Sequence, residues 1–435
     1  MFHFNKSITF ILIVFLGVIV SGCQVPGCTD PLSCNFNPNA TLNDGSCDYS
    51  CFGNSCSNGY ITKSGSITAD ETWTANCTYR LVGKVVVDSG VVLTIDPGAL
   101  IKSETTSGVQ TELSMLIVSR GAKIIANGTQ SEPIIFTSML DNIQLGQLSG
   151  TNLDQYQNAL WGGVVILGDA PISAANGDTE SQIEGIPMSV AFGGYGGHDV
   201  QDNSGSLNYI SIRHAGEYLG AGNHLNGLTL AGVGGATQIS NIEIVGAEDD
   251  GVELFGGNVN LTNVIVGYFG DDGIDIDQNY DGMIDNFICL ADTVSDEGIE
   301  LDGPEGITYT NGTFTLQNGT VRSVLGAGGM THSLFRNVKG TVINVDFGEE
   351  IVIQASYTAN CSASMPDAFT NLTSNPTTLN FLNCARNVVT VFSPFCSVSA
   401  ADQMQAEIEI PSVLTMGADV IPFTGWTWFS IHGHI

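Results

Sequence analysis

The segment SNIEIVGAEDDGVEL (240–254) aligns with TNVIVGYFGDDGIDI (262–276) position for position, without a gap, at a period of 22 residues. A third copy, NFICLADTVSDEGIEL (286–301), follows with its turn stretched by two or three residues. A fixed period of this length means a solenoid, in which each repeat packs only on its neighbours. Within a copy, Ile242 and Ile244 alternate with other side chains, as do Val252 and Leu254, so two short strands turn these four residues inward. Leucine-rich repeats share the period, but their L-x-x-L-x-L-x-x-N signature and helical half-repeat are both missing. The fold expected is therefore all-β, a right-handed parallel β-helix of about 22 residues per coil. Each strand then lies about 4.8 Å from its counterpart one period later. Nearer the N-terminus, VVLTIDPGALI and MLIVSRGAKII align with Gly98 over Gly121, a period of 23, and extend the same expectation. Cys289 takes the inward slot filled by Ile244 and Val266, which predicts a buried small apolar side chain and not a reactive thiol.

A chain of 435 residues, 43% hydrophobic, can bury a long core and is not a disordered acidic polymer. Lys and Arg number 12 against 44 Asp and Glu, a net charge of −32 that repels nucleic acid and anionic lipid head groups. Cations and neutral sugars suit it better as partners, and no nucleic-acid role is expected. The first residues, MFHFNKSITFILIVFLGVIVSGC, carry one Lys, an apolar run from Ile8 to Val20, and Ser21 and Gly22 before Cys23. This is an export signal spanning 1–22, with an apolar run short of the roughly 20 residues a membrane span needs. Val-Ser-Gly-Cys resembles the lipobox of bacterial lipoproteins. By that resemblance Cys23 is the lipidated first residue of the mature chain, held at the outer membrane or cell surface by a lipid anchor alone. An ordinary cleaved signal peptide is the alternative, and either places the protein outside the cytoplasm.

Export leaves the other cysteines free to pair. Cys28, Cys34, Cys47, Cys51, Cys56 and Cys77 crowd near the N-terminus, and Cys361, Cys384 and Cys396 form a second, odd group of disulfide candidates. Residues 23–57 hold almost no aliphatic side chains, so disulfides must hold this Cys-rich module together. Zinc competes for clustered cysteines, but the spacings lack paired C-x2-C knuckles. Asp30, Asn35, Asn37, Asn39 and Asp44 in this module offer oxygen ligands to calcium, or cap turns. The β-helix is expected over 58–350. The segment 351–435, which loses the regular turns, is expected to cap it, with the aromatic PFTGWTWFSIHGHI on the last coil.

Stacking the three copies places Asp249, Asp271 and Asp296 in one column, Asp250, Asp272 and Glu297 in a second, and Glu253, Asp275 and Glu300 in a third. Two unit charges about 5 Å apart repel by about 0.8 kcal/mol in water and about 3 kcal/mol at an effective dielectric of 20. Backbone amides, retained protons or a divalent cation must offset that. Just beyond, Asp277, Asn279, Asp281, Gly282 and Asp285 fit the D-x-N-x-D-G-x-x-D start of a calcium loop. Position twelve is Ile288, so Asp275 or Glu300 would have to complete a structural calcium shell. A solvated acidic loop is the competing reading. A mixed polar stretch, His198, Asp199, Asp202, Arg213, His214, Glu217 and His224, has scattered spacing that favours solvated turns over a transition-metal site.

The GDDGIDI stretch resembles the paired-aspartate motif of polygalacturonase-type hydrolases, which makes Asp249, Asp250, Asp271 and Asp272 catalytic candidates for cutting a polysaccharide. The same motif recurs in each coil, and the family's Gly-His-Gly and Arg-x-Lys companions are missing downstream, His332 and Arg336 being wrongly spaced. A lyase would want a basic residue beside calcium, and Arg213, Arg322 and Arg336 are isolated in sequence. Residues Gly27 to Pro31, Asn37 to Ala40 and Asp44 to Cys47 resemble the GCTDP…DGSC modules of marine Bacteroidota surface proteins. TWTANCTYRLVGKVVVDSGVVLTIDPGALIK, WGGVVILG, DNSGSLNYISIRHAG, DDGVELFGGNV and GWTWF resemble secreted Bacteroidota β-helix proteins, over most of 65–435. The resemblance implies a surface lipoprotein and supplies no catalytic residue. The function expected is a calcium-stabilised scaffold or adhesin for glycans or surface proteins, with a polysaccharide hydrolase or lyase as the alternative.

Overall fold

The computed structural model describes residues 25–27, 36–43, 59–105, 113–183, 186, 190–217, 225–324, 332–336, 338–348, 351–354, 379–382, 388–389 and 417–435. Two units divide the chain, 1–59 and 60–435. In the first, Pro26–Gly27 pairs in parallel with Leu42–Asn43. Asn37 there accepts the Asn39 amide at 3.0 Å, the turn-capping role.

The second unit is a parallel β-helix of three sheets. The first sheet stacks Glu71–Trp73, Val92–Ile95, Lys123–Asn127 and then the N-terminal halves of Gly205–Ala215, Gln238–Ala247, Asn260–Phe269 and Met283–Ala291. The C-terminal halves of those long strands make the second sheet, in which they are preceded by 60–63, 78–81, Leu100–Ser103 and Ile134–Ser138. The third stacks Met115–Val118, Val164–Leu167, Leu228–Ala231, Val252–Phe255, Ile274–Asp277 and Glu297–Asp302. Ile242 lies over Val264 over Phe287, and Val252 over Ile274 over Ile299, all fully buried. Cys289 stacks on Val266 in this core and is a free thiol, its ionisation pushed upward by burial.

The bend between the first and second sheets is one residue wide. Asn241, Asn263, Asn286, Asn318 and Asn344 fill it with φ between 54° and 59°, the left-handed region that Asn tolerates best after Gly. Their amides bond up the stack: Asn263 donates to Asn241 at 2.9 Å, Asn286 to Asn263 at 2.7 Å and Asn344 to Asn318 at 2.8 Å. Each half-buried or buried amide thus satisfies a neighbour while holding a strained backbone.

Two expectations change. Gly121 does not stack on Gly98, because the Gly121 carbonyl accepts the Gly90 amide and Val118 pairs with Val87. Gly98 instead precedes Leu100, which pairs with Thr78. Apolar strand, Gly turn and apolar strand recur at every corner, so the two segments match in pattern while lying in different sheets. The closing segment does not sit on the last coil either. Strands Ile351–Gln354 and Val388–Val389 continue the third sheet, whereas Phe423, Trp428 and Phe429 lie along the flank of the second sheet against Val245, Ile265 and Ile288. The outward face there is apolar and needs cover. Glu243, buried with Arg213, accepts the Phe429 amide at 3.1 Å, and Asn286 both gives to and takes from the Asp419 backbone.

Replacing Asn263 with Ala removes one donor and one acceptor of the ladder and leaves a residue with a Cβ at φ 58°. The expected loss is about 1–3 kcal/mol of stability, read by urea unfolding, with Asn263→Gly costing less because it removes the strain.

Candidate functional site

Along the outer face of the third sheet, one column runs Ile117, Val165, Thr229, Glu253, Asp275 and Glu300. Its apolar end is roofed by the insertion at 171–195, where Ile172, Ile183 and Tyr195 pack on Val165, Leu167 and Phe255. A short hairpin, Ser181–Gln182 against Gly194–Tyr195, ends this roof. Beyond it opens a cleft of about 250 Å³, lined by Tyr195, Asn226, Thr229, Glu253, Asp277 and Gln278 among others. The acidic turns enter the sheet beside this cleft.

The three carboxylate columns form as the repeat dictates. The Asp272 amide donates to Asp250 at 2.9 Å and the Glu297 amide to Asp272 at 2.8 Å, so each second-column acid caps the turn above it. The ladder starts one coil earlier with Asn226, which accepts the Asp250 amide at 3.1 Å and donates to Glu253. The sequence carries a signal for that start, since NGLTL (226–230) aligns with DGVEL (250–254) with Asn226 in place of the first acid. The asparagine ladder was likewise visible as Asn241, Asn263 and Asn286 at spacings of 22 and 23.

Amides answer only part of the charge. Ligand oxygens of Asp250, Glu253 and Asp275 lie within 4.8 Å of one another, as do those of Asp249, Asp250 and Asp271, of Asp271, Asp296 and Glu297, and of Asp272, Glu297 and Glu300. Between His214 and Val321 the sequence has 18 Asp and Glu and no Lys or Arg. Burial first, and neighbouring carboxylates second, push Asp250, Glu253 and Asp275 well above the usual carboxyl range. The same two causes lift Asp272 to about 11 and Asp302 to about 8. Asp275 Oδ1 is buried without a hydrogen-bond partner, at a cost that hydrogen bonding normally removes. All-oxygen donors without Cys or His suit a hard divalent cation such as calcium and not zinc.

The sequence-derived calcium loop is divided by the fold. Asp277 faces the third-sheet cleft with Glu253. Asp281 accepts the Tyr309 hydroxyl at 3.0 Å and the Thr313 amide at 2.8 Å, Asn279 donates to the Tyr309 carbonyl, and Asp285 accepts from Asn318 at 2.8 Å. Asp275 and Glu300 join the carboxylate columns instead, each in its own cluster. Of the candidate catalytic residues, Asp249, Asp250 and Asp271 converge, while Asp272 groups with Glu297 and Glu300. The mixed polar stretch does not: Arg213 is buried against Glu243, His214 bonds the Gln157 carbonyl at 2.6 Å, and Asp202 takes the Gly234 amide. Cys77 is disulfide-bonded. Cys23, Cys28, Cys34, Cys47, Cys51, Cys56, Cys361, Cys384, Cys396, Asp30, Asn35, Asp44 and His224 lie outside the described residues.

The model of the pectate-lyase-like β-helix domain matches residues 65–390. The chain belongs to this family. Neither the curated proteins nor the solved structures contain a match to it. Membership in the pectate-lyase-like β-helix family fixes the architecture, while chemistry has to be argued from the site.

Asp302 and Asp272 hold protons in the folded chain that they release near pH 4 when unfolded. Their contribution to stability is whole below about pH 4 and is lost as pH rises through about 8 and beyond. In EDTA the melting temperature is therefore expected to fall between pH 5 and 8.5 and to recover on adding calcium, most strongly at the alkaline end. A flat or rising profile in EDTA contradicts the assignment.

Proposed function

We propose that the protein is an exported surface lipoprotein, anchored through Cys23, whose β-helix is a calcium-stabilised scaffold that holds glycans or neighbouring surface components. The observation that carries this reading is the Asp250, Glu253 and Asp275 cluster, with one Asp275 oxygen buried and without a hydrogen-bond partner. A divalent cation there would supply the missing partner and offset the repulsion, tying adjacent coils together through Asp250, Glu253 and Asp275. The cleft beside it, with Tyr195, Asn226, Thr229 and Gln278, offers the mixture of aromatic and amide groups that suits a saccharide.

Calorimetry with calcium is expected to give binding, together with a rise in melting temperature. Asp275→Asn should weaken binding about tenfold or more, as the loss of one charged ligand does. Asp285→Asn, in the divided loop, should leave it unchanged. No heat and no thermal shift in the wild type removes the calcium scaffold.

A second reading is a polysaccharide hydrolase or lyase. It is favoured by several carboxylates lining one cleft, Asp249, Glu253, Asp277 and Glu305, with burial pushing the ionisation of Glu253 up, the arrangement that acid and base catalysis of glycosidic cleavage uses. The lack of Lys and Arg between His214 and Val321 speaks against a lyase, which needs a base near its cation. New reducing ends or unsaturated products from a polysaccharide panel, abolished by Asp272→Asn, would establish the enzyme. The scaffold reading expects retention of a glycan without turnover.

A further inference from the structure

A second cleft, of about 380 Å³, lies on the other side of the acidic turns, between the loop at 154–158 and the turns at Glu248 and Asp292 to Val294. Its outstanding feature is Tyr156, a large aromatic side chain left 56% exposed. Exposure is ordinary for a mobile loop, but this loop is clamped. His214 Nδ1 bonds the Gln157 carbonyl at 2.6 Å, Ala159 donates to Ala215, and Leu160 donates to the His214 carbonyl. Asp154 accepts the Tyr156 amide at 3.0 Å. Gly246 completes the seat: a Cβ there would lie 3.0 Å from both the Gln155 and Gln157 carbonyls, and its φ is 69°. The fold therefore fixes Tyr156 in an exposed position, which is how a binding platform is preorganised.

The coil beneath adds a second aromatic ring. Tyr268 takes the bend position that Gly246 holds one coil earlier, at φ 61°, a conformation an aromatic residue adopts only under strain. Its ring meets Tyr156 edge-on at 5.5 Å, and its hydroxyl is held by His434 at 2.9 Å. Around the two rings stand Gln155, Asn158 and the Glu248 carboxylate, which has no side-chain partner among the described residues. Asp292 is already engaged, its Oδ1 accepting the Val294 amide at 2.8 Å.

We infer that this cleft is a saccharide subsite for a neutral hexopyranose, stacked on Tyr156 with vicinal hydroxyls donated to Glu248 and bonded to the Gln155 and Asn158 amides. An exposed ring face takes the apolar C–H face of a sugar, while planar carboxylate and amide groups take its hydroxyls. Uronates and sulfated sugars are disfavoured, because Glu248 and Asp292 line the cleft with no Lys or Arg beside them, and Arg213 in the neighbouring coil is buried against Glu243. The inference rests on the glycan-binding reading above and deepens it.

The full chain, in calcium and separately in EDTA, is titrated by calorimetry with cellopentaose, mannopentaose, laminaripentaose, pentagalacturonate and deacetylated chitopentaose. At least one neutral oligomer is expected to bind. Tyr156→Ala should weaken it about tenfold or more, the usual effect of losing an aromatic anchor. Glu248→Gln should weaken it as well, and Asp285→Asn, at a residue that lines neither cleft, should not. Tyr156 is exposed, so an unchanged melting temperature shows that its removal leaves the fold intact. Binding of a neutral oligomer that survives both Tyr156→Ala and Glu248→Gln overturns the subsite while glycan binding stands. Preference for pentagalacturonate or chitopentaose overturns the neutral-sugar assignment. If no oligomer binds the wild type, the subsite and the glycan-binding role fall together.

Discussion

In-register hydrogen bonding between parallel strands is the constraint on which everything else in this molecule depends. It sets each residue about 4.8 Å above its equivalent one coil away, so whatever a repeat position carries is multiplied along the stack. For Ile242, Val264 and Phe287 the multiplication makes a continuous core. For Asn241, Asn263 and Asn286 it makes a ladder in which every amide has a like partner. For Asp250 and Asp272 it sets charge on charge, and the turn amides between them answer only one oxygen of each.

The same register explains why the chemistry is confined to one face. The outward column of the third sheet changes from Val165 under its insertion, through Thr229, to Glu253, Asp275 and Glu300. The apolar end binds a piece of the chain itself. The acidic end, where no Lys or Arg is available for a hundred residues of sequence, has only amides, protons or a cation to turn to. Asp275 shows that amides and protein hydroxyls have not met the whole demand.

The repeat between 240 and 301 was legible from the sequence because its first two copies align without a gap and the third differs only by a stretched turn, and with it the inward residues, the carboxylate columns and the burial of Cys289. The Gly98 and Gly121 match misled, since a pattern of strand, turn and strand does not record which corner of the coil it occupies. The 277–285 loop shows a related division between sequence and space. Spacing along the chain at 277–285 matched a wrapping loop, but Ile274–Asp277 belongs to the third sheet and Met283–Ala291 begins in the first, so the fold sends their oxygens to different partners. The lateral docking of Trp428 and Phe429 was not legible, because it depends on an apolar outer face of the second sheet that only the assembled coils define. Tyr156 gave no signal either, its importance lying in carbonyls seated on Gly246, far along the chain.

The most direct test of a cation among the columns is anomalous diffraction from crystals grown with manganese or calcium. A peak enclosed by Asp250, Glu253 and Asp275, and absent in Asp275→Asn crystals, is the result this account predicts. Density showing those carboxylates bonded to one another through protons, or a peak seated in the 277–285 loop instead, would contradict it.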